Sequence, residues 1–152
     1  MKPCIFLDRD GVINALIYEP DGKLLSPSHV SQVKILDNVL EGLNHLKDQK
    51  FTLIILTNQP GIAQGYITKK NCNDIHNYIL NTLPIDAIYM CPHHPQISGK
   101  CSCRKPQTGL VYEQAMKDFD IDLPNSYMIG DNLHTDIRCG HNLGVRKTIR
   151  IG

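Results

Sequence analysis

Residues 4–11 read Cys-Ile-Phe-Leu-Asp-Arg-Asp-Gly. Four apolar residues without alternation suit a short strand buried on both faces better than a half-solvated one. The run breaks at Asp8 and Asp10. Gly11 can leave extended geometry, so both carboxylates can turn into one pocket. Two acids beside a glycine are ordinary turn residues when they stand alone. Their weight comes from what recurs further along.

Four more continuous apolar runs follow, at residues 51–56, 87–90, 127–129 and 148–151. Helix-like segments lie between them. Residues 38–49 carry Val39, Leu40, Leu43 and Leu46 at helical spacing. Residues 68–80 carry Cys72, Ile75, Ile79 and Leu80, with Thr68 placed as N-cap. Residues 108–119 carry Leu110, Val111, Ala115, Met116 and Phe119. Residues 135–143 form a shorter candidate, ended by Gly144 in a C-cap role. Alternating strands and helices predict an α/β fold: a three-layer, Rossmann-like, five-stranded parallel sheet with right-handed crossovers. Only the first crossover is long. Residues 11–36 are too few for a domain and have room for a small hairpin.

The chain has 152 residues, 41% hydrophobic and 20% charged. That is one ordinary globular domain, and it excludes extended disorder, collagen-like and coiled-coil architectures. Lys and Arg total 16 against 15 Asp and Glu, for a net charge of +1. Such a balance offers no basic surface for nucleic acid and no electrostatic pull toward a membrane. No window approaches the roughly 20 apolar residues of a span, and the N-terminus lacks the apolar core and cleavage site of a secretory signal. A cytoplasmic monomer is expected. In a reducing compartment, clustered cysteines are more often metal ligands or catalysts than disulfides.

In open α/β sheets ligands bind beyond the carboxyl ends of the strands. The predicted strands end in Asp8-Arg9-Asp10-Gly11, Thr57-Asn58-Gln59, Cys91-Pro92-His93 and Gly130-Asp131-Asn132. Four strands of five thus deliver chemically capable side chains to one edge.

Taken together, DRDGVIN at 8–14, Thr57, Lys105 and Gly130-Asp131 with Asp136 resemble the four motifs of the haloacid dehalogenase superfamily of phosphohydrolases, over essentially the whole chain. The resemblance implies a magnesium-dependent phosphomonoesterase. Asp8 would be the nucleophile forming an aspartyl-phosphate, and Asp10 the proton donor and later the general base. Magnesium, a hard ion that prefers oxygen, would sit on the Asp8 carboxylate, the Asp10 main-chain carbonyl and Asp131. Thr57, Asn58 and Lys105 would hold the transferring phosphoryl group. Asp10 would need surroundings that raise its pKa from about 3.9. Asp136 is placed as a residue that orients its neighbours.

The run CPHHPQISGKCSCRKP at 91–106 places Cys91, His93, Cys101 and Cys103 within thirteen residues. Three thiolates and one imidazole are the ligand set of a closed structural zinc site. The competing reading is a set of free thiols or a redox pair. A metal-tied loop running into Arg104 and Lys105 would hold both cations over the phosphate pocket, so zinc loss is expected to misplace Lys105. Cys4, Cys72 and Cys139 sit in apolar contexts, as small hydrophobes do.

Within the superfamily, DRDG with Asn14, TNQPGIAQG at 57–65 and CPHHP with CRKP resemble the heptose bisphosphate phosphatase family, which acts on a small sugar phosphate in the branch supplying lipopolysaccharide heptose. The resemblance also gives Asn58, Gln59, Arg104 and Lys105 to substrate contact. Alternatives are a histidinol-phosphate phosphatase, a polynucleotide 3′-phosphatase, which the near-neutral charge disfavours, and an idle scaffold, which the presence of Asp8, Asp10 and Lys105 disfavours. The length leaves no room for an inserted cap, so an open site is expected, partly covered by the zinc loop. Arg9 reads as a surface or loop-anchoring residue. Asn14 reads as a brace for the first motif, and His29, His45, His76 and His141 as surface or helix-face residues.

Overall fold

The computed structural model describes residues 1–152. Strand β1 (Cys4–Leu7) leads into the long crossover, where β2 (Ile17–Tyr18) and β3 (Leu24–Leu25) pair antiparallel as the small hairpin. Helix α1 (Val39–Asp48) returns the chain to β4 (Thr52–Asn58), and α2 (Lys69–Thr82) to β5 (Ala87–Cys91). A single turn, α3 (Pro95–Ser98), lies inside the cysteine loop. Helix α4 has π geometry over Leu110–Ala115 and α geometry over Met116–Asp118, and precedes β6 (Tyr127–Gly130). Helix α5 likewise passes from a π stretch, Leu133–Ile137, into Arg138–Leu143, and β7 (Lys147–Arg150) follows.

The five long strands form one parallel sheet in the order β5-β4-β1-β6-β7. Leu7 is in register with Ile55 on one side and Ile129 on the other. β1 is therefore central, and the chain order reverses around it, which is where such sheets open a ligand crevice.

Side-chain alternation explains the continuous apolar runs. Ile5, Leu7, Leu53 and Ile55 face one way and pack with Leu43, Ile75 and Ile79 of α1 and α2. Cys4, Phe6, Ile54, Leu56 and Met128 face the other way, against Leu110, Val111 and Leu143 of α4 and α5. Both faces are covered, so neither set of side chains can be polar.

The predicted helix ends are in place. Thr68 Oγ1 accepts from the Asn71 amide at 3.0 Å, and Gly144 closes α5 at φ 73°, a left-handed conformation that suits glycine. Leu40 does not join the core as its spacing predicted: it is exposed, because α1 turns its Val39, Leu43 and Leu46 side inward. No helix is long and apolar enough to cross a membrane.

Candidate active site and metal centre

Asp8 lies one residue past β1, Asp131 one residue past β6, and Asp136 on the first turn of α5. These three bring a carboxylate oxygen each within 4.8 Å of one another. Lys105 enters from the cysteine loop and is buried. Its Nζ donates to Asp8 Oδ1 at 3.0 Å, to Asp136 Oδ1 at 2.6 Å and to the Leu56 carbonyl at 2.5 Å. Asp136 is fully buried, and its other oxygen accepts from the Asn132 amide at 3.2 Å. It therefore sits between Lys105 and the turn at Asn132, where it can fix the position of the lysine head.

Three carboxylates around one lysine leave this cluster short of positive charge. Burial pushes the Asp8 carboxyl up to about 7; Lys105 opposes that rise and Asp136 adds to it. Burial and the Asp136 charge raise Asp131 as well. Lys105 stays protonated because Asp8 and Asp136 outweigh the burial that disfavours its charge. Gly11 supplies the space. It stands at φ 84°, and a side chain there would collide with Asp131 Oδ2. Closely set hard oxygens with excess negative charge fit a magnesium ion held through Asp8 and Asp131.

Asp10 differs from its expectation. Its Oδ1 accepts from Arg9 Nε at 3.1 Å, Arg9 Nη2 at 2.9 Å and Asn14 Nδ2 at 3.0 Å. Its Oδ2 accepts from Ser26 Oγ at 2.6 Å and Gln59 Nε2 at 3.0 Å. Burial raises its pKa, but the Arg9 charge and the bonds from Ser26 and Asn14 overcome it and hold the carboxyl below its ordinary value. The expected upward shift falls on Asp8 instead. Donors aimed at a carboxylate favour its ionised form, and a turn sequence does not show where donors will point.

Gln59 and Asn58, expected at the substrate, are both engaged by other parts of the protein. Gln59 is buried, and its amide nitrogen is spent on Asp10 and on Thr57 Oγ1, 2.9 Å away. The Asn58 side chain donates to the Lys105 carbonyl at 3.1 Å and accepts from the Lys105 amide at 2.9 Å. Both braces are ready-made, one for the first motif and one for the lysine.

Arg9 takes the loop-anchoring one of its two readings, and His76 lies on the buried face of α2, not at the surface. Arg9 has no exposed area, and its Nη1 lies 2.9 Å from His76 Nε2 on α2. Asn14 is the predicted brace. Its amide protons go to Asp10 and the Ala15 carbonyl, while its own oxygen is buried without a partner, a cost of about 1–3 kcal/mol. Ser26, delivered by the β2–β3 hairpin, gave no signal in the sequence.

The cysteine loop gathers its four predicted ligands. Cys91 Sγ lies 3.3 Å from His93 Nδ1 and 3.7 Å from Cys101 Sγ, and His93 Nδ1 lies 3.2 Å from Cys103 Sγ. These spans suit a tetrahedral ion with bonds of about 2.3 Å to sulfur and about 2.0 Å to nitrogen. Burial raises Cys101, but the Arg104 amide and the Cys91 thiol outweigh it and bring the thiol down to about 7. Arg104 Nη1 reaches back to the His93 carbonyl at 3.5 Å. Beside the loop lies a cavity of about 420 Å³ lined by Pro95, Lys100, Arg104, Lys105 and Gln107.

A family model described as HAD-hydrolase-like matches residues 102–149. The D-glycero-beta-D-manno-heptose-1,7-bisphosphate 7-phosphatase of Haemophilus ducreyi is 33% identical over 99% of this chain and 83% of its own length. The histidine biosynthesis bifunctional protein HisB of Blochmanniella floridana is 37% identical over 93% of this chain, but only 39% of its own length. Among solved structures, D,D-heptose 1,7-bisphosphate phosphatase from B. bronchiseptica, complexed with magnesium and phosphate, superposes with a TM-score of 0.77 at 30% identity, covering 98% of this chain and 80% of that one.

Proposed function

The chain belongs to the haloacid dehalogenase-like hydrolases, in the heptose bisphosphate phosphatase family, and on that premise we propose that it removes the 7-phosphate of D-glycero-D-manno-heptose 1,7-bisphosphate as a single phosphatase domain. The observation that carries this reading is Lys105 set between Asp8 and Asp136, beside Asp131 at the centre of the parallel sheet. A fixed cation in a dry site stabilises charge that develops on a transferring phosphoryl group.

Asp8 attacks phosphorus, the bond to the sugar oxygen breaks, and that oxygen takes a proton from Asp10. Water then attacks the aspartyl-phosphate and gives its proton to Asp10, releasing phosphate and restoring Asp8. The second step uses the Asp10 carboxylate as the donors hold it. The first needs a proton on Oδ2. Ser26 can accommodate it, because a hydroxyl can turn from donating to accepting. Thr57 already accepts from Gln59, so its own proton is directed to a phosphoryl oxygen. Arg104 meets the substrate from the cavity side. Asp8, the Asp10 carbonyl and Asp131 would hold magnesium, which when bound would offset the repulsion between a phosphate dianion and these acids. Cys91, His93, Cys101 and Cys103 would hold zinc, which would tie the loop that carries Lys105.

The test offers purified protein with magnesium the heptose bisphosphate, histidinol phosphate and a 3′-phosphorylated oligonucleotide. Turnover of the heptose substrate, abolished by Asp8→Asn, is expected. Turnover of histidinol phosphate alone would replace the substrate assignment, and activity surviving Asp8→Asn would remove the mechanism.

A further inference from the structure

Arg9 is a wholly buried guanidinium, and a buried charge must be paired and hydrogen-bonded. Two of its nitrogens, Nε and Nη2, grip one oxygen of Asp10. Its third, Nη1, points away from the reaction centre to His76 Nε2 at 2.9 Å. A guanidinium has no acceptor. The bond therefore runs from Arg9 to His76, which fixes the imidazole as neutral, with its proton on Nδ1. An imidazolium at this position would face Arg9 with like charge. His76 is itself buried, one turn after Cys72 on α2, and its Nε2 lies 3.9 Å from the Cys72 thiol. It touches none of the three clustered carboxylates.

We propose that His76 and Arg9 are positioning residues for Asp10: neutral His76 anchors Nη1 of Arg9, and the anchored guanidinium holds the Asp10 carboxyl at the angle needed for proton transfer to the leaving oxygen. The inference rests on the reading of Asp10 as acid and base. Asn14 and Ser26 hold Asp10 from the crossover, Gln59 holds it from the end of β4, and only the His76–Arg9 couple ties it to a regular helix. Losing the anchor frees the guanidinium to rotate, and proton transfer suffers from small errors in geometry.

The experiment compares the heptose bisphosphate with p-nitrophenyl phosphate. The alkoxide of the first needs a proton to leave, whereas the nitrophenolate of the second departs without one. His76→Phe is expected to lower kcat on the sugar phosphate about 10-fold and on the aryl phosphate less than about 3-fold, with KM little changed. His76→Gln, whose amide oxygen can accept from Nη1, is expected to recover most of the loss. Arg9→Met should show the same bias, larger. Asp10→Asn sets the reference. If it shows no bias, the acid reading falls and the couple with it. If it shows bias and the His76 variants show none, or if Gln is no better than Phe, the couple alone is overturned. Imidazole nitrogen NMR of the unmodified protein gives a check that needs no variant. A bare Nε2 and a protonated Nδ1 at neutral pH are expected, and either the opposite tautomer or an imidazolium would overturn the couple.

Discussion

Lys105 Nζ stands 3.0 Å from Asp8 Oδ1, although 97 positions separate the two residues in sequence. The same nitrogen reaches Asp136, so removing it leaves two acids facing each other in the core. Breaking a buried ion pair costs about 3–5 kcal/mol. Lys105→Met is expected near the lower bound, because Asp8 can relieve the repulsion by taking a proton. Urea denaturation should show a loss of about 3 kcal/mol, and turnover should fall by about 10²–10³. Magnesium should return part of the stability and none of the turnover.

The Lys105 backbone has two anchors. One is the cysteine loop, which ends two residues earlier at Cys103; the other is the Asn58 amide, bonded to both its N–H and its carbonyl. Chelation of zinc should therefore lower kcat by about 10-fold in a protein that still folds around its sheet, with Asn58 keeping Lys105 partly in place. In Asn58→Ala the same chelation should cost about 100-fold, since neither anchor remains. Metal content, circular dichroism and turnover measured on the same samples check this. Equal losses in the two backgrounds would mean that the loop does not act through Lys105.

The sheet was legible because burial on both faces forces continuous apolar runs, and because strand ends in a parallel sheet meet along one edge. Asp8, Thr57 and Asp131 could be placed together on that basis, whereas Lys105 joined them only through the family resemblance. The surroundings of Asp10 could not. Arg9 lies between two acids and reads as a surface or loop-anchoring residue, which does not tell that its guanidinium is wholly buried. His76 carried a faint signal: it falls four residues after Cys72, on the buried side of α2 with Ile75 and Ile79. Ser26 comes from a hairpin with no periodicity, so its arrival at Asp10 is a tertiary fact. The Asp10 pKa followed these donors and not the proximity of Asp8.

His76 sets a pH dependence of stability. Burial, then the Arg9 charge, lower its pKa from 6.5 to about 3, with Asp10 opposing weakly. Between those values the unfolded chain binds a proton that the folded chain does not. The stability that His76 contributes is therefore full above about pH 6.5 and falls as pH decreases, by up to about 1.4 kcal/mol per unit. Asp10 and Arg9 face the imidazole from β1's end, and Cys72 from its own helix. Asp8, pushed up to about 7, titrates with the opposite sign over this range, so the His76 contribution is read as a difference: in urea denaturation from pH 7 to pH 5 the parent protein should lose up to about 2 kcal/mol more than His76→Gln. A slope unchanged in the variant would place the titration elsewhere.

Gly11 and Gly22 share a left-handed backbone, at φ 84° and φ 86°. They differ in what a side chain would meet: Asp131 Oδ2 at Gly11, and nothing within 4 Å at Gly22. Alanine at either position bears the same conformational penalty, about 1–2 kcal/mol. Only at Gly11 must it also displace an acid proposed to hold magnesium. Gly11→Ala is expected to weaken the magnesium dependence of turnover by at least about 10-fold, whereas Gly22→Ala should lose stability and keep its magnesium response. Magnesium titrations of activity and calorimetric binding to the resting protein distinguish the two. A normal response in Gly11→Ala would mean that Asp131 can move aside without cost, and that its carboxylate does not hold the ion.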